Sequence, residues 1–243
     1  RQALVDDILS GQALVADSPI ASISWAYDPS VRQYGYDPER AIGLLDASGW
    51  QDSDADRVRD REGEALSFTL LTVDEPLLVG IAEEMARQWA GVGIDVEIRA
   101  VSAEVVNTFL RSRNFDAALV EVSLTADPDP YSLWHSTQAE SGQNFAGFQS
   151  EEADLIMEAI RSTTDVEQRL ALYHDFQQVF ANQVPALLLY YPIYTYAVDT
   201  QVREVQLSPM FYTGDRFRNV HEWYIQVLEV TANEEDELDK PGE

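Results

Sequence analysis

The residues best suited to chemistry lie in one short stretch, SLTADPDPYSLWHS, at positions 123–136. In it, Asp127 and Asp129 alternate with two prolines, and Tyr131 and Trp134 follow. Proline fixes its own φ and pushes the preceding residue into extended conformations, so the backbone that carries both acids is expected to be stiff. Such fixed carboxylates are typical either of a binding site or of a turn whose acids only cap the backbone. For Asp129 we favour the turn.

Two neighbouring acids also raise the hypothesis of glycoside hydrolysis. That mechanism needs carboxyl groups on opposite sides of the scissile bond, about 5–9.5 Å apart, which neighbours in one rigid turn rarely achieve. The sequence has no Gly-x-Ser-x-Gly motif and no glycine-rich phosphate loop. We therefore predict a protein that is not an enzyme, and we keep a glycoside hydrolase-like enzyme acting through Asp127 and Asp129 as the third hypothesis.

Two further groups of residues suggest a metal site, and neither has the right spacing. Segment 52–60, DSDADRVRD, begins like a calcium loop, but Arg57 stands where glycine is needed and Gly63 where a bidentate Glu is needed. A solvated turn is the better interpretation. Cysteine is absent, which excludes thiolate ligands and disulfides. We expect no metal and no cofactor, because the three histidines are far apart on different predicted elements: His135, His174 and His221.

The charge balance of the chain is strongly acidic. Among its 243 residues, 43 acids outnumber 16 bases and leave a formal net charge of −27. Such a surface repels phosphate backbones, so we exclude nucleic acid as a partner. Lys240 is the only lysine among the bases, and this bias suggests a salt-adapted or GC-rich source. The second hypothesis for function is an acidic protein-interaction module, whose complex with a basic partner would depend strongly on salt.

Hydrophobic periodicity predicts strands that alternate with helices in the first half of the chain. This order requires parallel crossovers and places the fold in the α/β class. The predicted elements are, in chain order, a helix over most of 1–10, a loop over 17–36, a helix from Asp37-Pro38 to Gly49, a strand over 66–73, a helix over 77–90, a strand over 94–101, a helix from Ser102, a strand over 115–122, helices from Ser150 and Asp165, and a buried strand over 186–198 that frays at Pro192.

The chain is predicted to fold as one domain over residues 1–228, followed by an acidic disordered tail over 229–243. No apolar run reaches the roughly 18 residues that a membrane-spanning helix requires. The sequence begins at Arg1 without methionine or a signal-like apolar segment. We expect it to be part of a longer chain.

Four segments carry the pattern of a known family, in the family's order, and together cover most of residues 1–225. They are YDPERAIGLLDASGW at 36–50, WAGVGIDVEIRAV at 89–101, FDAALVEVSLTADPDPYSLW at 115–134 and EEADLIMEAIRSTTDVEQRLALYHDFQQVFANQVPALLLYYP at 151–192. In these segments the chain resembles the family 5 extracellular solute-binding proteins, the peptide- and nickel-binding components of ABC importers.

The resemblance implies one lobe of a two-lobed, periplasmic-binding-protein-like fold of type II, with a mixed sheet flanked by helices. Ligand binds between the lobes in this family, and the chain resembles only the C-terminal lobe. The expected partners are therefore a small solute, the missing N-terminal lobe of the same chain and the ABC permease subunits. The expected location is extracytoplasmic, either periplasmic or anchored at the cell surface as a lipoprotein.

The resemblance also implies a role for the acidic stretch. In peptide binders of the family, an acid in the loop after the central strand pairs with the α-ammonium group of the ligand, and this acid matches Asp127 by position. A loop that often faces the cleft supplies further candidates. The residues that we expect to contact ligand are Asp127, Trp134, Asp129, Tyr131, Asn144 and Phe145.

The expected solute is a peptide, and a sugar or a metal chelate stays open as an alternative. The chain departs from the peptide binders at two places near Asp127. Ser123-Leu124 stands where the family often has Gly-Trp, and Glu121 stands where some members have a basic residue.

Overall fold

A computed structural model of the chain describes residues 1–206 and 210–226. The chain divides into two compact units, of which the first spans Arg1–Ile193 and the second begins at Tyr194. The domain boundary predicted at residue 228 and the acidic tail predicted over 229–243 lie outside the described residues. The lobe predicted over 1–228 stays a prediction, and each unit is described by itself.

The helices and strands of the described residues follow the alternating order that the sequence predicts. The α-helices are α1 (Pro38–Ala47), α2 (Pro76–Ala90), α3 (Ala103–Ser112), α4 (Tyr131–Trp134), α5 (Glu151–Ser162) and α6 (Val166–Gln183). The strands are β1 (Ala13–Val15), β2 (Asp60–Arg61), β3 (Glu64–Ala65), β4 (Ser67–Val73), β5 (Asp95–Val101), β6 (Ala117–Ala118), β7 (Tyr190–Pro192), β8 (Val202–Arg203) and β9 (Tyr224–Ile225). A π-helical turn spans Leu4–Ile8 near the start of the chain.

Three parallel strands form the central sheet of the first unit, in the order β5-β4-β6. Helices α2 and α3 are the crossover connections, as the sequence predicts. Because successive residues of a strand point to opposite faces, Leu70 of β4 packs with α2 and Leu71 packs with α3. The sheet is therefore covered on both faces, and the predicted α/β class is confirmed.

Strand β6 is much shorter than the predicted strand over 115–122. Only Ala117–Ala118 pair with β4, although one further backbone bond joins Leu119 N to Leu71 O at 2.8 Å. Before the strand, the Asp116 carboxylate accepts the Thr69 N–H at 3.0 Å and takes the place of a backbone carbonyl. After Val120 the chain leaves the sheet and its side chains become exposed. The apolar run over 115–122 therefore forms a strand only where β4 is available to pair with it.

Side-chain caps fix the starts of α1, α3, α5 and α6 where the sequence predicts them, whereas α2 begins at Pro76 without one. The carboxylates of Asp37 and Asp165 accept the N–H of the residue three positions on, each at 2.9 Å. The hydroxyls of Ser102 and Ser150 act in the same way on α3 and α5. Because each cap satisfies an N–H that has no partner inside the helix, it contributes about 0.5–2 kcal/mol.

Helices α5 and α6 pack against each other and against the loop over 17–36 to form a second core. Tyr173, Phe176, Met157 and Ile160 are fully buried there. The loop has no regular structure, as predicted, and a buried side chain of α6 holds its backbone. Gln177 accepts from Ser18 Oγ and Asp28 N at 2.6 and 3.0 Å and donates to Ala26 O at 2.8 Å.

The strand predicted over 186–198 is much shorter in the structure, although it ends at Pro192 as predicted. Its paired part is Tyr190–Pro192, which lies antiparallel to Ala13–Val15. The prediction of burial is wrong, since Leu187 is 61% exposed and Ile193 is 45% exposed. The physical reason is that the partner segment is short, reaching from Gln12 to Ala16 with its flanking backbone bonds, so much of the apolar run is extended without being enclosed.

The described part of the second unit contains a short antiparallel pair and an aromatic cluster. Strand β8 pairs with β9, and 3₁₀ turns span Thr213–Phe217 and Val220–Glu222. The Arg216 guanidinium lies 4.6 Å from the centroid of the Phe217 ring. In neither unit does a helix among the described residues have the length and apolar character needed to cross a membrane.

Candidate functional site

The acidic stretch lies in the irregular connection between β6 and α4. This connection begins at the carboxyl end of a parallel strand, and in open α/β sheets ligands bind in the crevice outside these ends. A turn holds the stretch, because the Asp129 N–H donates to Asp127 O at 2.9 Å and Thr125 Oγ1 donates to the same carbonyl at 2.5 Å. The prolines and these bonds together restrict the backbone that carries both acids.

The Asp127 side chain is exposed and already has two hydrogen-bond partners on α6. It is 61% exposed, and Arg169 Nη2 donates to its Oδ1 at 2.7 Å and to its Oδ2 at 2.9 Å. The Tyr173 hydroxyl donates to Oδ1 at 3.1 Å. The carboxylate is therefore held in one orientation from the protein side while its solvent side stays open.

The partners of Asp127 remain protonated donors at neutral pH. Its hydrogen bond and charge raise the pKa of the Arg169 guanidinium. Burial first, and then the Asp127 charge, raise the pKa of the Tyr173 phenol well above its ordinary value. Neither donor loses its proton near neutral pH, so the cluster has the same hydrogen bonds throughout this range.

Asp129 is engaged by α5 and by the start of α4. Arg161 donates from Nε and Nη2 to Asp129 Oδ2 at 2.9 and 2.8 Å. Asp129 Oδ1 accepts the Tyr131 N–H at 3.0 Å. The Tyr131 ring lies between the Arg161 guanidinium, 3.9 Å from the ring centroid, and the His135 ring, at 4.0 Å between centroids. These contacts fix the loop that follows Asp127.

The remaining predicted site residues support the loops rather than extend into solvent. Trp134 is half-buried and meets Phe180 edge to face at 4.7 Å between ring centroids. Phe145 is half-buried, and the Arg113 guanidinium lies 4.8 Å from its ring centroid. Asn144 is buried.

Asn144 fastens the loop between α4 and α5. Its amide nitrogen donates to the carbonyls of Trp134, His135 and Phe148 at 3.3, 3.1 and 2.8 Å. Its amide oxygen accepts the Phe148 N–H at 3.0 Å. Both polar atoms of the side chain are thus used inside the loop, which places Asn144 among the residues that position the site.

Three residues near Asp127 were not predicted as site residues: Arg169, Tyr173 and Trp25. Trp25 comes from the loop over 17–36, is 44% exposed and meets Tyr173 edge to face at 5.4 Å between ring centroids. The Arg169 guanidinium lies 5.8 Å from the Trp25 ring centroid. A signal for Arg169 and Tyr173 was present, because residues four apart share a helix face. No local pattern indicated that this face meets Asp127.

The acidic segment 52–60 forms a solvated turn, as the sequence predicts. Asp52, Asp54 and Asp56 are exposed and present carboxylate oxygens within 4.8 Å of one another. Their carboxylates accept backbone N–H groups of the same turn, including Ala55 N at 2.8 Å and Val58 N at 2.7 Å. These bonds account for the cluster by local turn chemistry.

A cavity of about 470 Å³ lies between α5 and α6, away from the acidic loop. None of the predicted site residues lines it. It is bordered by two acids, three amide side chains and three apolar side chains: Glu152, Asp175, Gln178, Asn182, Gln183, Leu155, Ile156 and Val179.

A family model and several known binding proteins match the chain. Residues 1–144 match the family model of the bacterial extracellular solute-binding proteins, family 5, middle part. The oligopeptide-binding protein AppA of Bacillus subtilis is 30% identical over 234 residues, which are 93% of this chain and 42% of AppA. The dipeptide-binding protein of Escherichia coli is 24% identical over 218 residues, which are 86% of this chain and 38% of that protein.

Solved structures of similar proteins have the same fold. The structure of B. subtilis AppA with a nonapeptide superposes with a TM-score of 0.77 at 26% identity and covers 93% of this chain and 45% of AppA. NikZ of Campylobacter jejuni with Ni(L-His) superposes with a TM-score of 0.74 at 23% identity and covers 91% of this chain and 45% of NikZ. The predicted periplasmic-binding-protein-like fold of type II is confirmed. The chain spans about two fifths of the length of the curated relatives it matches.

Proposed function

Because the chain belongs to the bacterial extracellular solute-binding proteins of family 5, we propose that it forms one lobe of the substrate-binding component of an ABC importer. In this proposal residues 1–228 are the C-terminal lobe, and the solute is captured in a cleft between this lobe and an N-terminal lobe. The family consists of solute-binding proteins, and we propose that this protein likewise binds its solute without converting it.

The observation that carries the proposal is the position and state of Asp127. Its carboxylate lies beyond the carboxyl end of a parallel strand, is held by Arg169 and Tyr173, and remains 61% exposed. A carboxylate that is oriented before the ligand arrives loses little entropy on binding. A charge-assisted hydrogen bond to it is worth about 1.5–3 kcal/mol, and more of this remains when closure excludes water.

We propose a peptide as the solute, with a sugar or a metal chelate as alternatives. The names of the relatives support this order, since AppA is an oligopeptide-binding protein that was solved with a nonapeptide. NikZ was solved with Ni(L-His), which supports the chelate alternative. In this chain Asp127 would contact the solute, while Trp134, Tyr131, Asp129 and Phe145 would shape the surface around it.

The ion pairs of both acids support binding rather than hydrolysis. Asp127 is paired with Arg169, and Asp129 is paired with Arg161. A glycosidase needs one of its two carboxyl groups to donate a proton to the leaving oxygen, whereas each of these carboxylates accepts hydrogen bonds from an arginine.

The proposed mechanism is capture followed by hinge closure outside the cytoplasm. A solute that contacts both lobes stabilises the closed state in proportion to its extra affinity for that state. The closed form would then dock on the ABC permease subunits. The protein would act in the periplasm or as a lipoprotein at the cell surface.

The test is solute binding by the full-length natural protein. Mass spectrometry of the solutes that co-purify with it would identify the ligand class, and titration calorimetry would give its affinity. We expect Asp127→Asn to weaken binding by about 10- to 100-fold, which corresponds to the loss of one charge-assisted hydrogen bond. Asp52→Asn, an exposed acid in a distant turn, is the control and should leave binding unchanged. Unchanged affinity in Asp127→Asn, or the absence of any bound solute, would contradict the proposal.

A further inference from the structure

The Asp127 carboxylate does not present a free negative charge, and this limits what it can recognise. We propose, on the basis of the solute-binding function above, that Arg169 sets the charge preference of the site. Asp127 then accepts a hydrogen bond from an uncharged donor of the solute, such as a hydroxyl or amide N–H group, instead of serving as the counter-ion of a free ammonium group. Arg169 is thus a specificity-determining residue of the proposed cleft.

The first step is the geometry of the pair. One nitrogen, Arg169 Nη2, lies 2.7 and 2.9 Å from the two oxygens of Asp127, and the Tyr173 hydroxyl lies 3.1 Å from Oδ1. A carboxylate accepts about four hydrogen bonds, so part of its capacity stays available. The Asp127 side chain is 61% exposed, and a donor from solvent can therefore reach it without breaking the pair.

The second step is that Arg169 is anchored and does not leave when a ligand arrives. Its Nη2 also donates to the Tyr173 hydroxyl at 3.0 Å. Its guanidinium lies 5.4 Å from the Tyr173 ring centroid and 5.8 Å from the Trp25 ring centroid, within the range of cation–π attraction. The side chain is only 25% exposed.

The third step is the net charge that a solute meets. Arginine stays protonated at every relevant pH, so Asp127 and Arg169 together are close to neutral. The next acid, Asp129, is balanced in the same way by Arg161. An ammonium group at Asp127 would be attracted by the carboxylate and repelled by the Arg169 guanidinium, which lies further away across the carboxylate, so the repulsion removes part of the attraction. Cleft closure lowers the local dielectric and strengthens both terms, so the repulsion continues to oppose the attraction.

An uncharged donor gains more from this arrangement than a cation does. A hydroxyl or amide N–H still forms a charge-assisted bond to the carboxylate, without repulsion from Arg169 and without the cost of desolvating an ammonium ion. Removing the guanidinium should reverse the preference, because the lone carboxylate then becomes a counter-ion.

The experiment compares two probes that differ at the amino end, where one carries an ammonium group and the other an uncharged acetylated amide N–H: trialanine and N-acetyl-trialanine. Their affinities for the full-length protein are measured by titration calorimetry. We expect the wild type to bind the two within about ten-fold of each other, and Arg169→Gln to shift the ratio by about ten-fold or more towards the free ammonium. Arg169→Lys keeps the positive charge and should keep the wild-type ratio. Arg87→Gln, which breaks the exposed ion pair with Glu84 on α2, is the matched control and should also keep it.

The ratio of the two affinities is the readout, because a general loss of folded protein lowers both affinities together. A wild-type preference for trialanine above about 100-fold, or an unchanged ratio in Arg169→Gln, would overturn the inference. If Arg169→Gln does not fold, Asp127→Asn replaces it and should weaken trialanine and its acetylated form by a similar factor; a loss confined to trialanine would show that Asp127 is the counter-ion of the ammonium group and would count against the inference. Failure of both probes to bind at millimolar concentration also overturns it, whereas the proposed function is decided separately by the co-purified solutes.

Discussion

At the residue scale, the site depends on hydrogen bonds between side chains that are far apart in the sequence. Sequence patterns placed Asp127 at the end of a strand because the Asp-Pro repeat is a local feature. They did not reveal that Arg169, 42 positions further along the chain, would pair with it. A contact between residues this far apart depends on how α6 packs against the acidic loop. That packing is a property of the tertiary structure, and local periodicity does not encode it.

Asn144 provides a prediction at this scale. Replacing it with alanine leaves the Phe148 N–H and two or three buried carbonyls without their partners. Since each unsatisfied buried group costs about 1–3 kcal/mol, we expect Asn144→Ala to lower the free energy of unfolding by about 2–4 kcal/mol. Urea denaturation measures this change. Gln143→Ala, at the exposed neighbouring position, should change stability by less than about 0.5 kcal/mol.

The expected loss in Asn144→Ala has a second consequence that binding experiments would detect. The loop that Asn144 fastens also carries Phe145, so its release should weaken solute binding even at temperatures where the variant is folded. A variant as stable as the wild type would show that the hydrogen bonds around Asn144 do not hold the loop.

At the element scale, helix starts and the two central strands β4 and β5 were predictable, whereas the lengths of two other strands were not. Asp37, Ser102, Ser150 and Asp165 were each predicted as helix starts, and each caps its helix, because the capping interaction lies within four residues of the chain. Strand length depends on a partner elsewhere, which is why the runs over 115–122 and 186–198 form only two and three paired residues. The loop over 17–36 has no recognisable sequence pattern for the same reason: its backbone is held by hydrogen bonds to Gln177 of α6.

Gln177 tests the connection between α6 and this loop. Its side chain is fully buried and joins Ser18, Asp28 and Ala26 of the loop to the helix. Gln177→Leu has a similar size but removes every one of these bonds, so we expect a loss of about 2–4 kcal/mol in the free energy of unfolding. Urea denaturation is again the measurement.

The control for Gln177→Leu lies on the same helix. Asn182 is exposed on α6, and Asn182→Ala should stay within about 0.5 kcal/mol of the wild type. The loop also carries Trp25, so the tryptophan fluorescence of Gln177→Leu should change before global unfolding. If Gln177→Leu matched the stability of the wild type, the loop would have to be held by its apolar contacts alone.

At the scale of the whole molecule, the net charge follows directly from the counts of acidic and basic residues in the sequence. With 43 acids and 16 bases, one-to-one pairing would leave most acids without a basic partner, and the formal net charge is −27. The α/β class and the family could be predicted from patterns that extend over most of the chain, whereas the division into units at Ile193 could not. The division at Ile193 depends on tertiary contacts between distant residues, which local sequence patterns do not reveal.

The acidic surface predicts that stability rises with ionic strength. Like charges repel one another in the compact state more than in the expanded unfolded chain, and salt screens this repulsion. The Debye length falls from about 30 Å at 0.01 M to about 8 Å at 0.15 M salt, so most of the gain should come in this range. We expect the Tm in scanning calorimetry to rise by several degrees between these concentrations of NaCl, and to rise little when sucrose replaces the salt at equal osmolality. A Tm that is constant or falls over the same range would mean that the acids are arranged so that their repulsion does not destabilise the folded state.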